Sequence, residues 1–163
     1  MSDGPSQVYS ALDALGIAFQ RYDHPPVFTG EDAALHWADI PARGMKNLFL
    51  RNKKGDRHYL VILAIEKEAD LRRLVKLIGD DRFSFASPDR LAKHLGLTPG
   101  SVSPFGLLNN PSHSVQVIVD TDLRGASLLI FHPNLNSHSV TISGPDLERF
   151  LKSTGHVVRW MNL

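Results

Sequence analysis

The chain has 163 residues, of which 42% are hydrophobic and 21% charged, and its formal net charge is +1. This length fits one domain that folds without a metal or disulfide, and the absence of cysteine excludes a disulfide scaffold, a cysteine zinc site and a thiol nucleophile. So small a net charge also excludes binding of nucleic acid along a long positive face.

The N-terminal residues 1–5 have no basic stretch followed by an apolar run, so no signal peptide is expected. Nowhere do 18 apolar residues follow one another, as a membrane-spanning helix would require. We therefore expect a cytoplasmic protein with no membrane partner.

The first half of the chain alternates between apolar residues at helical spacing and β-rich runs. Its predicted elements are a helix from Pro5 to Gly16, a strand at 18–22, a helix from Thr29 to Trp37, strands at 47–51 and 57–63, and a helix at 70–78. The two adjacent strands predict a hairpin around Gly55. The second strand is nearly all apolar, which predicts burial on both faces.

The second half begins with a serine cap followed by proline, a common helix start. Its predicted elements are a helix from Ser87 to Gly96, a loop at 98–104, strands at 115–119 and 127–131 around a turn, a strand at 138–142, a helix from Ser143 to Gly155 and an edge strand at 157–160. Together they predict one mixed α/β (α+β) domain over residues 1–163, with a mostly antiparallel sheet surrounded by helices.

Four segments could carry chemistry, and the first is Lys46 with Asn47, between Gly44 and the apolar strand. A lysine at the mouth of a strand can reach over a pocket, where its ammonium suits a phosphate or a developing oxyanion. The alternative is an ordinary solvated lysine at a strand end.

The second segment is the loop of Gly100, Ser101, Val102, Ser103 and Pro104. Successive backbone N–H groups in such a loop can cradle an anion or an ester oxygen. Composition alone is equally typical of a plain turn.

The third segment contains His132, Asn134 and His138 between two predicted strands. A histidine at the end of an apolar strand could hydrogen-bond a substrate carbonyl or a water molecule. Two histidines six residues apart could also bind a metal, but no obvious third ligand accompanies them. A plain polar turn is the remaining alternative.

The fourth segment, His24-Pro25-Pro26 followed by Thr29, could line a pocket wall or form a rigid turn. No Gly-x-Ser-x-Gly elbow, phosphate-binding Walker loop or dinucleotide fingerprint is present. These absences argue against a serine hydrolase, a P-loop nucleotide phosphatase and a Rossmann oxidoreductase.

In this order the segments resemble the YbaK/prolyl-tRNA-synthetase-associated domain family, and within it the freestanding ProX branch. The resemblance covers nearly the whole chain and is carried by residues 24–29, 46–50, 100–104 and 131–134. It implies a barrel-like mixed sheet and an enzyme, without cofactor or metal, that hydrolyses alanine from proline tRNA. The substrate's own ribose hydroxyl would assist the attacking water.

The resemblance also implies roles for individual residues. Lys46 and Asn47 would hold the terminal adenosine and its phosphate, and His132 would position the aminoacyl end. The loop Gly100–Pro104 would provide backbone donors near the ester, with His24, Thr29 and Asn134 also contacting substrate. No role is carried over to His138.

The implied partner is the acceptor end of aminoacylated tRNA(Pro), with a transient contact to prolyl-tRNA synthetase. DNA is not expected as a partner, because no helix is dense in Arg and Lys. Two basic surfaces could contact the acceptor stem of the tRNA. One is the hairpin turn. The other, which we favour, is a helix whose apolar face packs against the core and leaves its basic face free. The first comprises Arg51, Lys53, Lys54 and Arg57, and the second Arg72, Arg73, Lys76 and Arg82.

Three alternatives remain open from the sequence. The substrate could be a different ester of the same kind, such as cysteine on tRNA(Pro) or serine on another tRNA. The chain could instead be a non-catalytic nucleic-acid-binding module, or an accessory that works only when docked on a synthetase.

Overall fold

The computed structural model describes residues 4–163; Met1 to Asp3, on which the expectation of no signal peptide partly rests, lie outside the described residues. The helices are α1 (Pro5–Ala14), α2 (Gly30–Trp37), α3 (Leu71–Ile78), α4 (Pro88–Leu95) and α5 (Gly144–Ser153). The strands are β1 (Gln20–Asp23), β2 (Arg43–Arg51), β3 (His58–Ala64), β4 (Ser84–Phe85), β5 (Val115–Asp120), β6 (Leu129–Phe131), β7 (His138–Ile142) and β8 (Val158–Met161). Two short 3₁₀ helices cover Pro104–Asn109 and Thr121–Leu123.

Local capping explains where most helices begin. The side chains of Thr29, Asp70, Ser87 and Ser143 each accept a hydrogen bond from the backbone N–H three residues further on, which satisfies a donor that the first helical turn leaves free. These caps confirm the predicted starts. None of the helices in residues 4–163 is long and apolar enough to cross a membrane.

The strands form one eight-stranded mixed sheet in the order β1-β7-β6-β2-β3-β5-β8, with β4 added to the side of β2. Four pairings are antiparallel and three are parallel, namely β2 with β6, β3 with β5 and β5 with β8. The expected mixed sheet with surrounding helices is confirmed. The strands predicted around a turn, β5 and β6, are not neighbours, since β5 pairs with β3 and β8 and β6 pairs with β2 and β7.

The core lies on both faces of the sheet. Every residue of β3 is buried, as predicted. Leu60 and Ile62 belong to the larger apolar cluster, to which α4 contributes Leu91, whereas Val61 packs in a second cluster with Leu74 of α3. The alternation of side chains along a strand therefore assigns α3 and α4 to opposite faces.

The pairing of β2 changes along its length, and this change positions the site described below. At its start β2 pairs with β6 through only two residue pairs, Arg43 with Leu129 and Gly44 with Ile130. From Met45 onward β2 continues in a seven-pair ladder with β3, while β6 ends at Phe131 and the chain turns back into β7. The two chains separate here and leave a fork in the sheet.

Candidate active site

A cleft of about 180 Å³ opens at the fork between β2 and β6. Its walls come from the segment before α2, the start of β2, the glycine-containing loop and the end of β6. The lining residues are Val27, Phe28, Thr29, Gly30, Ala33, Trp37, Met45, Lys46, Asn47, Ile65, Gly100, Val102 and His132. One cleft thus includes residues from all four segments singled out in the sequence.

Lys46 and His132 project from the same face of the sheet. If the parallel register of Gly44 with Ile130 were continued by two residues, Lys46 would face His132, and both would share the side covered by Trp37. Trp37 indeed lies against Gly44, where an added Cβ would be 2.9 Å from its ring. Within residues 4–163 Lys46 forms no ion pair, so its charge is available to a ligand.

Asn47 projects from the opposite face of β2, toward the glycine-containing loop. Its Nδ2 donates to the carbonyl of Val102 at 3.3 Å, which fixes the orientation of the amide. Its Oδ1 is then buried with no hydrogen-bond partner among the residues described. Because leaving a buried acceptor unpaired costs about 1–3 kcal/mol, this oxygen is suited to accept a hydrogen bond from a ligand.

His132 presents a neutral ring with a free acceptor nitrogen to the cleft. Its Nδ1 lies 2.8 Å from the carbonyl oxygen of His138, and since a carbonyl only accepts, Nδ1 carries the proton. Burial lowers the pKa of His132, the hydrogen bond to His138 partly opposes this shift, and the nearby His24 adds to it. At neutral pH Nε2 is therefore an acceptor.

A hydrogen-bond chain that is buried at Trp37 and Ser139 and half-buried at His24 holds the aromatic wall in place. Trp37 Nε1 donates to Ser139 Oγ at 2.8 Å, and Ser139 Oγ lies 2.7 Å from Nε2 of His24. The other ring nitrogen of His24 lies 2.9 Å from the carbonyl of Pro25 and must donate to it, so in the neutral ring Nε2 accepts from the serine hydroxyl. His24 thus supports His132, 5.9 Å away between ring centroids, and does not itself line the cleft.

Neither Trp37 nor Ser139 was singled out in the sequence. In the sequence, Trp37 was interpreted as one apolar residue of a helix, and Ser139 as a polar residue within a strand. The pairing of β7 with β6, which joins Val140 to Phe131, places Ser139 near His132, and its pairing with β1 joins Ser139 to Tyr22. The contacts of its hydroxyl with Trp37 and His24 join residues more than 100 positions apart, and no local signal in the sequence marks them.

The glycine-containing loop divides into lining and supporting residues. Gly100 and Val102 line the cleft, and their backbone N–H groups make no hydrogen bond within the described part of the chain. Ser101, Ser103 and Pro104 are buried beneath. Their assignment as substrate-binding residues stays a prediction.

Two asparagines tie the neighbouring loops together. Ser103 Oγ accepts from the N–H of Phe105 and donates to Oδ1 of Asn134 at 2.6 Å, which leaves Nδ2 of Asn134 buried and unpaired within residues 4–163. Asn136 donates to the carbonyl of Val27 at 2.7 Å. Asn134 supports the loop from below the lining, and its predicted contact with substrate stays a prediction.

The two basic surfaces proposed from the sequence differ in how far their charges are neutralised. On the hairpin turn, Lys54 pairs with Asp56 and Arg57 with the buried Asp80. Arg51 and Lys53 form no ion pair within residues 4–163, and Arg51 donates to turn carbonyls.

On the α3 surface, Arg72, Lys76 and Arg82 surround one groove, and none of them forms an ion pair with a described residue. Arg73 points elsewhere and donates to the carbonyls of Asn162 and Leu163.

The metal alternative involved His132 and His138. The imidazole of His138 lies 3.5 Å from Asp23 and 2.9 Å from the hydroxyl of Ser137, whereas its backbone carbonyl binds His132. In residues 4–163 no three His, Asp or Glu side chains lie close enough together to hold a metal ion.

Comparisons with known proteins agree on one family. The aminoacyl-tRNA editing domain matches residues 24–150. The prolyl-tRNA editing protein ProX of Acetoanaerobium sticklandii is 41% identical over 161 residues, which cover 99% of this chain and 98% of that protein. The prolyl-tRNA synthetase associated domain-containing protein 1 of Danio rerio is 32% identical over 147 residues, covering 89% and 79%.

Comparison with solved structures finds the same fold in an editing protein. The crystal structure of a candidate trans-editing enzyme for prolyl-tRNA synthetase superposes with a TM-score of 0.73 at 22% identity, covering 100% of this chain and 99% of that one. At this identity the likeness concerns the fold.

The environment of His132 leads to a first prediction. Because burial disfavours the charged ring, we expect its pKa to lie below the ordinary histidine value of about 6.5 and its Nδ1–H tautomer to dominate at pH 7. A pH titration of the imidazole ¹⁵N resonances, assigned by their loss in His132→Gln, measures both. A pKa at or above 6.5, or an Nε2–H tautomer, would contradict the geometry.

Proposed function

The chain belongs to the aminoacyl-tRNA editing domain family and is an aminoacyl-tRNA deacylase, and from this premise we propose that its substrate is alanine esterified to tRNA(Pro). The observation that carries the proposal is the convergence of Lys46, Asn47, His132 and two free N–H groups of the glycine-containing loop in one cleft. We place this activity in the cytoplasm, after the ester has left the synthetase.

The cleft matches the needs of an ester that is already activated. Hydrolysis of an aminoacyl ester needs an oriented water and stabilisation of the tetrahedral oxyanion, and it does not need a covalent nucleophile. The N–H groups of Gly100 and Val102 are the donors proposed for the oxyanion. The neighbouring ribose hydroxyl of the substrate assists the attacking water, so the mechanism requires neither a strong general base nor a metal ion.

The remaining groups position the substrate. Lys46 pairs with the phosphate of the terminal adenosine, because its ammonium has no carboxylate partner within residues 4–163. The buried Oδ1 of Asn47 accepts from a ribose hydroxyl, and Nε2 of neutral His132 accepts from the aminoacyl end. Thr29 lies at the rim, where it also caps α2.

Discrimination between amino acids rests on size. A synthetase pocket built for proline excludes the smaller alanine poorly, since lost apolar contacts are worth only about 1–3 kcal/mol. A second site that admits alanine and rejects proline completes a double sieve. Val27, Ala33 and Trp37, which form one apolar cluster on the cleft wall, are the side chains proposed to set that limit.

The α3 surface is proposed to receive the acceptor stem. Arg72, Lys76 and Arg82 lie on the same sheet face as Lys46, and they have no ion-pair partner among residues 4–163. Arg73 donates to the backbone carbonyls of Asn162 and Leu163, and its predicted contact with the tRNA stays a prediction. A brief contact with prolyl-tRNA synthetase remains part of the proposal, because the released ester must reach this enzyme before it is used.

The lysine provides the sharpest test of the site. Lys46→Ala should reduce deacylation by tenfold to more than a hundredfold, since a charged hydrogen bond contributes about 1.5–3 kcal/mol. The measurement is single-turnover hydrolysis of Ala-tRNA(Pro), with circular dichroism to confirm folding. Lys152→Ala, which removes an exposed charge from α5, is the matched control and should keep the wild-type rate. A folded Lys46 variant with normal turnover would place the site elsewhere.

The substrate itself is tested with a panel of aminoacylated tRNAs. Ala-tRNA(Pro) should be hydrolysed fastest, Pro-tRNA(Pro) should be spared, and EDTA should leave the rate unchanged. Faster hydrolysis of Cys-tRNA(Pro) or of a serine ester would replace the proposed substrate. Loss of activity in EDTA that zinc restores would instead assign a metal to His132 and His138.

The stem contact is tested by charge reversal on α3. Arg72→Glu combined with Lys76→Glu should raise KM for tRNA and leave the single-turnover rate at saturation nearly unchanged. A log–log salt slope of about −2 to −4, as expected for roughly 3 to 5 phosphate contacts, should become flatter. Unchanged KM and salt response would show that the stem lies on another surface.

A further inference from the structure

Two arginines on the opposite face of the sheet converge on a single point above the hairpin turn. A Cβ added to Gly55 would lie 2.8 Å from Nη2 of Arg51 and 2.9 Å from Nη2 of Arg90. Gly55 has a φ of +77°, and its missing side chain leaves the space into which both guanidinium groups extend. Like charges held this close repel each other, so the arrangement depends on groups that anchor them.

The anchors are backbone carbonyls of a rigid turn. Arg51 donates to the carbonyls of Asn52 and Lys53, and Arg90 donates to that of Gly55 at 2.9 Å. Asn52 is buried, and its Oδ1 accepts the N–H groups of residues 55, 56 and 57, which fixes the turn. Each guanidinium keeps N–H donors that these contacts do not use.

The charges around the arginine pair include one acid of the same turn, Asp56, which pairs with Lys54. Within residues 4–163 neither arginine forms an ion pair with a carboxylate. His58, whose Nε2 lies 3.1 Å from Arg90, has its pKa lowered to about 4 by burial and then by His94, Arg90, Arg51 and Lys93. His58 is therefore neutral at pH 7 and accepts from Arg90, and it adds no negative charge.

We propose that Arg51 and Arg90 form a second RNA-binding site, which clamps one backbone phosphate of the substrate. Guanidinium groups match phosphate oxygens with two parallel N–H donors, and Nη2 of both arginines borders the same space beside Gly55. The inference rests on the proposed function, because it takes the bound RNA to be the tRNA whose 3′ end enters the cleft.

The distance from the cleft to this site is one that a few nucleotides of RNA can span. Arg51 lies four residues beyond Asn47 on the same face of β2, about 13 Å away at 3.3 Å per residue. On that face α4 runs from Arg90 to Leu95, and the chain then enters the glycine-containing loop. A strand with its terminal ester at Gly100 would reach the arginines within its last few nucleotides.

The experiment compares a long and a short substrate. Arg51→Gln combined with Arg90→Gln should raise KM for Ala-tRNA(Pro) about tenfold and reduce the log–log salt slope by about one unit, as the loss of one phosphate contact requires. The same variant should hydrolyse 2′(3′)-O-alanyl-adenosine, which lacks that phosphate, at the wild-type kcat/KM. Glutamine keeps an N–H donor for the turn carbonyls, and thermal unfolding checks the fold.

The control removes two positive charges from a remote surface. Arg124→Gln combined with Lys152→Gln, whose side chains pair with Glu148, should leave KM and the salt slope for Ala-tRNA(Pro) unchanged. Equal losses on both substrates would show that the arginines only support the fold, and no loss on tRNA would refute the clamp. If the wild-type enzyme hydrolyses neither ester, the proposed function and the clamp are both refuted. If it hydrolyses both esters and the Arg51/Arg90 double variant has the wild-type KM for Ala-tRNA(Pro), only the clamp is refuted.

Discussion

The short parallel contact between β2 and β6 is the constraint on which the site depends. Only two residue pairs join these strands, and β2 then continues with β3 as β6 ends. A longer pairing would close the sheet and bury the positions of Lys46 and His132 against each other. Gly44 sits at the last paired position and accommodates Trp37, so the helix α2 can cover the fork without filling it.

Polar groups that are buried around the fork decide how its side chains are oriented. Ser139 holds Trp37 and His24 at once, and the carbonyl of His138 fixes the tautomer of His132. Such groups are costly to bury unless each finds a partner, so the network specifies one arrangement of the cleft wall. Within residues 4–163, Oδ1 of Asn47 and Nδ2 of Asn134 are buried without a partner. Of the two residues, Asn47 lines the cleft, where its oxygen is available to substrate.

The sequence predicted what is encoded locally. Capping residues and the spacing of apolar residues located α2, α4 and α5, and the apolar run 57–63 predicted a strand buried on both faces. The parallel partners of β5 and β6, namely β3 and β8 for β5 and β2 for β6, could not be predicted in this way, because parallel pairing joins distant segments and leaves no mark in either. The same holds for Ser139 beneath the cleft and for Arg73, whose exposed helical position gave no sign that it binds carbonyls at Asn162 and Leu163.

The distribution of charge explains how a chain with a net charge of +1 can bind RNA. Several acids are committed internally: the buried side chains of Asp80 and Asp120 pair with Arg57 and Lys67, which removes their negative field from the surface. The cations on α3 and beside Gly55 are not offset in this way, so two small positive regions remain on opposite faces of the sheet. A few phosphate contacts give modest affinity that salt weakens only gently. Modest affinity suits an editing enzyme, because tight binding of substrate and product alike would slow turnover without lowering the barrier to hydrolysis.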